Sequence, residues 1–181
     1  PAPHTVAVLL GSLRNQSVNR RLAQIAVDSA GPDSVVSIVE GLGDLPFYNE
    51  DIDPDTPDGA GSVLEEGVAA VRAGVASADA VLVVAPEYNG SLPAVLKNAI
   101  DWLSRPAFAG VLVGKPTAVI AVTPSAHQPM ETLGQTEFTL EMCGAVVVRP
   151  GATKSSLYRR EVTHAAVQAV LADEAVIRQV S

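Results

Sequence analysis

The chain has 181 residues, 48% of them hydrophobic, and a formal net charge of −8. That size and apolar content suit a single domain over 1–181 with a full core. The charge argues against nucleic acid and anionic membranes as partners, since phosphate-bearing surfaces are gripped by basic ones. No apolar run approaches the roughly 20 residues of a membrane-crossing helix, and the single cysteine, Cys143, excludes an internal disulfide and points to a reducing cytoplasm.

In chain order, "PAPHTVAVLLGS" lacks a basic n-region, so no signal peptide is expected, and its apolar residues 5–10 predict a buried strand. The polar turn "LGSLRNQSVNRR" (10–21) follows and leads into the helical pattern "LAQIAVDSA". Residues 35–40 predict a second strand. The stretch 41–60, "GLGDLPFYNEDIDPDTPDGA", is too long for a turn, and loops of that length in a compact domain are commonly functional. A helix is predicted over 62–77, with Leu64, Val68, Val71 and Val75 on one stripe, then a strand over 80–85. Residues 92–104 place Leu92, Val95, Leu96, Ala99, Ile100 and Leu103 on one helix face. Ser91 reads as the cap of that helix, and Pro93 as a residue of its first turn. A strand over 117–123, a weaker helix over 131–143 diluted by Gly134 and three threonines, a strand over 145–149 and a helix over 161–178 complete the pattern.

Strands this uniformly apolar are covered on both faces. Their alternation with helices predicts an α/β fold, a flavodoxin-like three-layer sandwich whose five-stranded parallel sheet has the order 2-1-3-4-5. Ligands of such sheets bind beyond the carboxyl ends of the strands, where loops 11–17, 86–91 and 124–130 converge.

The first of these loops matches neither a Walker A sequence nor G-x-G-x-x-G. It nevertheless combines a helix N-terminus with Ser12, Ser17 and Asn19 as donors and Arg14 as a charged fork, which is what a phosphate needs. The same residues also read as a Ser17 helix cap with solvated arginines. In the second loop, Pro86 ends the strand, and Glu87, Tyr88, Asn89 and Gly90 offer backbone donors and one aromatic surface to a flat ring; a plain strand-to-helix turn is the alternative. His4, His127 and His164 are far apart with no ligand-spaced partners, so no metal site is expected. Cys143, before Gly144 at a helix end, reads as a small buried residue and not as a nucleophile.

"GSLRNQSVNRRLA", "DLPFYNEDID" and "APEYNGSLPAVLKNAIDWLSRP" together resemble the NADPH-dependent FMN reductase family, whose members include quinone, chromate and azo-dye reductases of flavodoxin-like fold. The resemblance runs from about residue 5 to residue 150. It implies an FMN-dependent NAD(P)H oxidoreductase in which a hydride passes from NADPH or NADH to bound FMN. A quinone, free flavin, azo compound or metal oxyanion then takes the electrons from the same face. It implies that Ser12, Arg14, Ser17 and Asn19, with Gln16 at the same turn, hold the FMN phosphate, and that Pro86, Glu87, Tyr88, Asn89 and Gly90 border the isoalloxazine. It also implies a cytoplasmic homodimer or homotetramer in which the loop around Tyr48, Asn49 and Glu50 approaches a neighbouring subunit's flavin. One departure stands out: Ser125, Ala126, His127 and Gln128 occupy a turn that is glycine-rich in the family, and Ser125 is expected beside the cofactor. His127 and the C-terminal Arg159 and Arg160 read as solvent-facing residues. The competing reading is a flavin-binding electron carrier or regulatory protein without NAD(P)H turnover, and a third is a fold that has lost its flavin and serves another phosphorylated ligand.

Overall fold

The computed structural model describes residues 2–122 and 129–149. The predicted helix over 161–178, Ser125, His127, Arg159 and Arg160 lie outside the described residues. Ten elements follow in order: β1 (His4–Leu10), α1 (Val18–Asp28), β2 (Ser34–Ile38), a 3₁₀ turn (Glu50–Ile52), α2 (Glu66–Ala76), β3 (Ala80–Pro86), α3 (Ala94–Leu103), β4 (Pro116–Val122), α4 (Met130–Met142) and β5 (Val146–Val147). The five strands form one sheet of order β2-β1-β3-β4-β5, and every pairing is parallel.

Strand periodicity divides the core. Val6, Val8, Leu10, Leu82, Val84, Ala118 and Ile120 face Leu22, Ala23 and Ala26 of α1. The alternate residues Ala7, Leu9, Val81, Val83 and Val119 join Val68, Val71 and Val75 of α2, Leu96, Ile100 and Leu103 of α3 and Leu140 of α4. The sheet is therefore covered on both faces, which is why its strands read as unbroken apolar runs.

Several boundaries differ from the sequence reading, among them α1, which begins at Val18 ahead of the pattern that starts at Leu22. Helix α2 starts at Glu66 and not at 62, because Glu65 occupies the N-cap and its carboxylate accepts the Val68 N–H. Strand β5 is two residues long, beside Pro116 and Thr117 of β4, where a run over 145–149 is predicted. Ser91 does not cap α3; Pro93 stands at the N-cap without a side-chain bond, and helical residues begin at Ala94.

The chain runs from β1 to β2 on one side of β1 and then crosses to β3 on the other. Leu10 pairs with Val84, and Pro86 with Val122, so β1, β3 and β4 end at similar heights. The reversal of strand order between β1 and β3 opens the crevice where ligands of such sheets sit.

Candidate active site

The loop after β1 reaches the crevice because residue 11 is glycine. Its N–H donates to Val84 O at 2.9 Å, and a Cβ there would lie 3.0 Å from Pro86 Cδ and 3.1 Å from Pro93 Cγ. A side chain at 11 would push the first loop off the second. Ser12 is 2% exposed, whereas Leu13, Arg14, Asn15 and Gln16 are exposed. Ser17 N–H closes a turn onto Arg14 O at 3.1 Å. Among the described residues no carbonyl accepts the N–H groups of Leu13 to Gln16.

Ser17 is the N-cap of α1, and its Oγ accepts the Arg20 N–H at 3.0 Å. The capping reading thus holds for this residue, and its hydroxyl hydrogen is still available to donate. Asn19 is 5% exposed, and its Oδ1 has no hydrogen-bond partner among the described residues. The first turn of α1 holds no acid but carries Arg20 and Arg21. Cations at the positive end of a helix dipole are misplaced on their own and well placed beside a bound anion. Arg20 is only loosely paired, its Nη1 lying 3.8 Å from Glu40 Oε1.

The loop after β3 is a tight two-residue turn. Tyr88 N–H donates to Ser91 O at 3.0 Å, and Ser91 N–H to Tyr88 O at 3.2 Å. Asn89 (φ 54°) and Gly90 (φ 75°) between them are both left-handed, the geometry for which an Asn-Gly pair is suited. The Tyr88 ring is 53% exposed. Glu87 is half-buried, with Oε2 accepting from Thr132 Oγ1 at 3.1 Å. Ser91 Oγ donates to Gln135 Oε1 at 2.6 Å, which is the bond that diverts it from capping α3.

The long loop after β2 is anchored by α3. Asn98 Oδ1 accepts the Tyr48 N–H at 2.8 Å, while Asn98 Nδ2 and Trp102 Nε1 both donate to Pro46 O, at 2.9 and 2.8 Å. The Tyr48 ring stands edge-on to Trp102 with centroids 5.0 Å apart, and its hydroxyl donates to the buried Asp53 at 3.2 Å. Desolvation, only partly opposed by Arg105, pushes the Tyr48 phenol above its ordinary range. Arg72 spans the loop, with Nη1 2.7 Å from Asp55 Oδ2 and Nε donating to Trp102 O at 3.0 Å. Tyr48 is thus engaged within its own chain, and Phe47, 82% exposed, is the outward aromatic residue.

Asn98, Trp102, Thr132 and Gln135 escaped the sequence reading as contact residues. The available signals were an asparagine on the apolar face of α3 and the threonines that break the stripe of α4. A cavity of about 300 Å³ lies beside the first loop, lined by Ser12, Leu13, Arg20, Glu40 and Asp44 among others. It opens on the β2 side and includes no residue of 86–91, so it is distinct from the crevice between β1 and β3. Cys143 is half-buried at the C-cap of α4, and burial raises its thiol pKa, as expected of a packing residue.

Residues 4–157 match the model of the family described as NADPH-dependent FMN reductase. The chain belongs to that family. A quinone reductase of Pseudomonas putida is 45% identical over 123 residues, which cover 68% of this chain and 62% of that protein. A 2-hydroxy-1,4-benzoquinone reductase of a Burkholderia species is 42% identical over 121 residues, covering 67% and 61%. The match thus spans less than two thirds of the length of these relatives. Among solved structures, FerB of Paracoccus denitrificans, described as a flavoenzyme NAD(P)H:(acceptor) oxidoreductase, superposes with a TM-score of 0.79 at 28% identity, covering 97% of this chain and 98% of that one. The flavodoxin-like architecture expected from the alternating strands and helices is thereby established.

Proposed function

We propose that this protein is an FMN-dependent NAD(P)H oxidoreductase that reduces quinones, with NADPH or NADH as donor. One observation carries the reading. In a chain of this family, an anion-type loop (Gly11–Ser17) and the segment Pro86–Pro93 that carries the ring-type turn (Glu87–Gly90) meet at the ends of adjacent strands, where a Cβ at Gly11 would crowd Pro86 and Pro93.

The residues present fit the cofactor. Ser12 and Ser17 supply hydroxyl donors, Arg14 a guanidinium, and the open N–H groups of Leu13 to Gln16 a cradle at the positive end of α1. Asn19, buried behind them, would serve through its Nδ2 donor. Pro86 to Gly90 border the ring, with backbone donors from the turn and the exposed face of Tyr88. Ser125 belongs to the same proposal but lies outside the described residues. A bound FMN supplies the hydride and electron transfer; the chain contributes anchoring, orientation and field. Arg14 neutralises the phosphate, the stiff Asn-Gly turn fixes the height of the ring edge, and Tyr88 offers an apolar wall to a flat donor or acceptor.

The acidic surface supports the expectation that neither nucleic acid nor membrane is a partner. Among the described residues no helix is long and apolar enough to cross a membrane. A single half-buried thiol supports a cytoplasmic setting. A homodimer or homotetramer is part of the same proposal, with Phe47 and the residues beside it as an outward edge of the long loop.

The test is steady-state oxidation of NADPH and NADH with benzoquinone. Donor and acceptor sharing one face in turn give parallel double-reciprocal lines. Failure to turn over in the presence of bound FMN would replace the reductase by an electron carrier.

A further inference from the structure

Helix α4 begins without a cap of its own, since Pro129 stands at the N-cap and supplies no side-chain bond. Its first two turns are committed to the Glu87–Ser91 turn. Thr132 Oγ1 donates to Glu87 Oε2 at 3.1 Å, Gln135 Nε2 donates to Gly90 O at 3.3 Å, and Ser91 Oγ donates to Gln135 Oε1 at 2.6 Å. Thr132 is fully buried, and its carbonyl accepts Thr136 Oγ1 at 2.6 Å.

Packing alone does not account for a hydroxyl at 132. Valine has the same shape, fits an inward helix face and leaves no polar group to satisfy. The hydroxyl is offset by its bond to the Glu87 side chain. The bonds grip the turn at both ends, Glu87 at its entry and Gly90–Ser91 at its exit. Asn89 and Gly90, both at positive φ, form the stiff link between these grips. Thr132 thus pins one carboxylate oxygen of Glu87 at the entry of the turn.

We infer that Thr132 and Gln135 are positioning residues. They set the Glu87–Ser91 turn, and with it the Glu87 carboxylate, against the flavin ring. The inference rests on the flavin reading above and adds to it that α4 controls the ring-facing turn.

The test compares FMN affinity, visible flavin bands and melting temperature in Thr132→Val, Thr132→Ser and Gln135→Ala. Thr132→Val deletes the donor at nearly constant shape, and Thr132→Ser restores it. Gln135 is exposed, so its substitution does not endanger folding and decides the matter alone should Thr132→Val not fold. FMN binding is expected to weaken ~10-fold in T132V and in Q135A, consistent with loss of a bond to a charged or strained group. The visible bands should shift in both and return in T132S. Parental affinity and bands in the folded variants, even with a lowered melting temperature, would reduce these contacts to a structural role and overturn the inference. A parent that does not hold FMN strikes the flavin reading instead, and that result is seen before any variant is made.

Discussion

Ser12 and Ser17 put one side-chain chemistry to two uses: Ser17 Oγ caps α1, whereas Ser12 is nearly inaccessible and caps no helix among the described residues. Ser12 and Arg14 are therefore the residues whose loss should be felt by a phosphate. Ser12→Ala and Arg14→Ala should each weaken FMN by ~1.5–3 kcal/mol, the range for bonds to a charged group; fluorescence titration of the double variant checks this, and unchanged affinity would remove the phosphate assignment. Riboflavin, which lacks the phosphate, should bind at least ~100-fold more weakly than FMN, about 2.7 kcal/mol. At this scale the cap at Ser17 and the clustering of donors were legible, since both follow from local rules. Ser91 was not. Its neighbours give a sound capping pattern, but its hydroxyl is claimed by Gln135, forty-four positions later in the chain.

Helix α3 ties the long loop to the sheet. It packs Leu96, Ile100 and Leu103 on the sheet while Asn98 and Trp102 reach out to hold the Leu45–Tyr48 segment. Two motifs that are separate in sequence are thus one mechanical unit. Asn98→Ala would strand the Tyr48 N–H and the Leu45 carbonyl and leave Pro46 O to Trp102 alone, at a cost of about 2–3 kcal/mol. That should lower the melting temperature by ~4–12 °C for a chain of this size. A drop confined to a degree or so would show that the loop is held elsewhere, with the Arg72–Asp55 pair as the next candidate. The first four strands were read to within two residues of their ends, because burial on both faces writes itself into unbroken apolar runs. The strand order 2-1-3-4-5 is as expected, whereas the grip of α3 on the long loop depends on contacts between distant residues that no local period records. The threonines of α4 looked like weakness in a helical stripe; two of them are inward-facing hydroxyls, and one holds Glu87.

A net charge of −8 gives the molecule as a whole a negative field. Such a field slows anions and leaves neutral molecules alone, and salt removes the difference within a Debye length of about 10 Å at 0.1 M. With an anionic acceptor such as ferricyanide, kcat/KM should rise as ionic strength is raised, while the value for benzoquinone should stay nearly flat. Equal salt responses would show that the net charge does not reach the site. The whole-molecule fold followed from the alternation of strands and helices. The activity did not, because the same sheet serves many chemistries and the site residues become specific only as motifs of one family.

The central claim is that this chain holds FMN and passes electrons through it. Visible absorption of the purified protein after FMN addition and gel filtration, followed by anaerobic NADPH and then a quinone, tests that claim most directly. The expected result is a retained flavin spectrum that NADPH bleaches and the quinone restores. A protein that emerges colourless, or one whose colour NADPH leaves untouched, would contradict it.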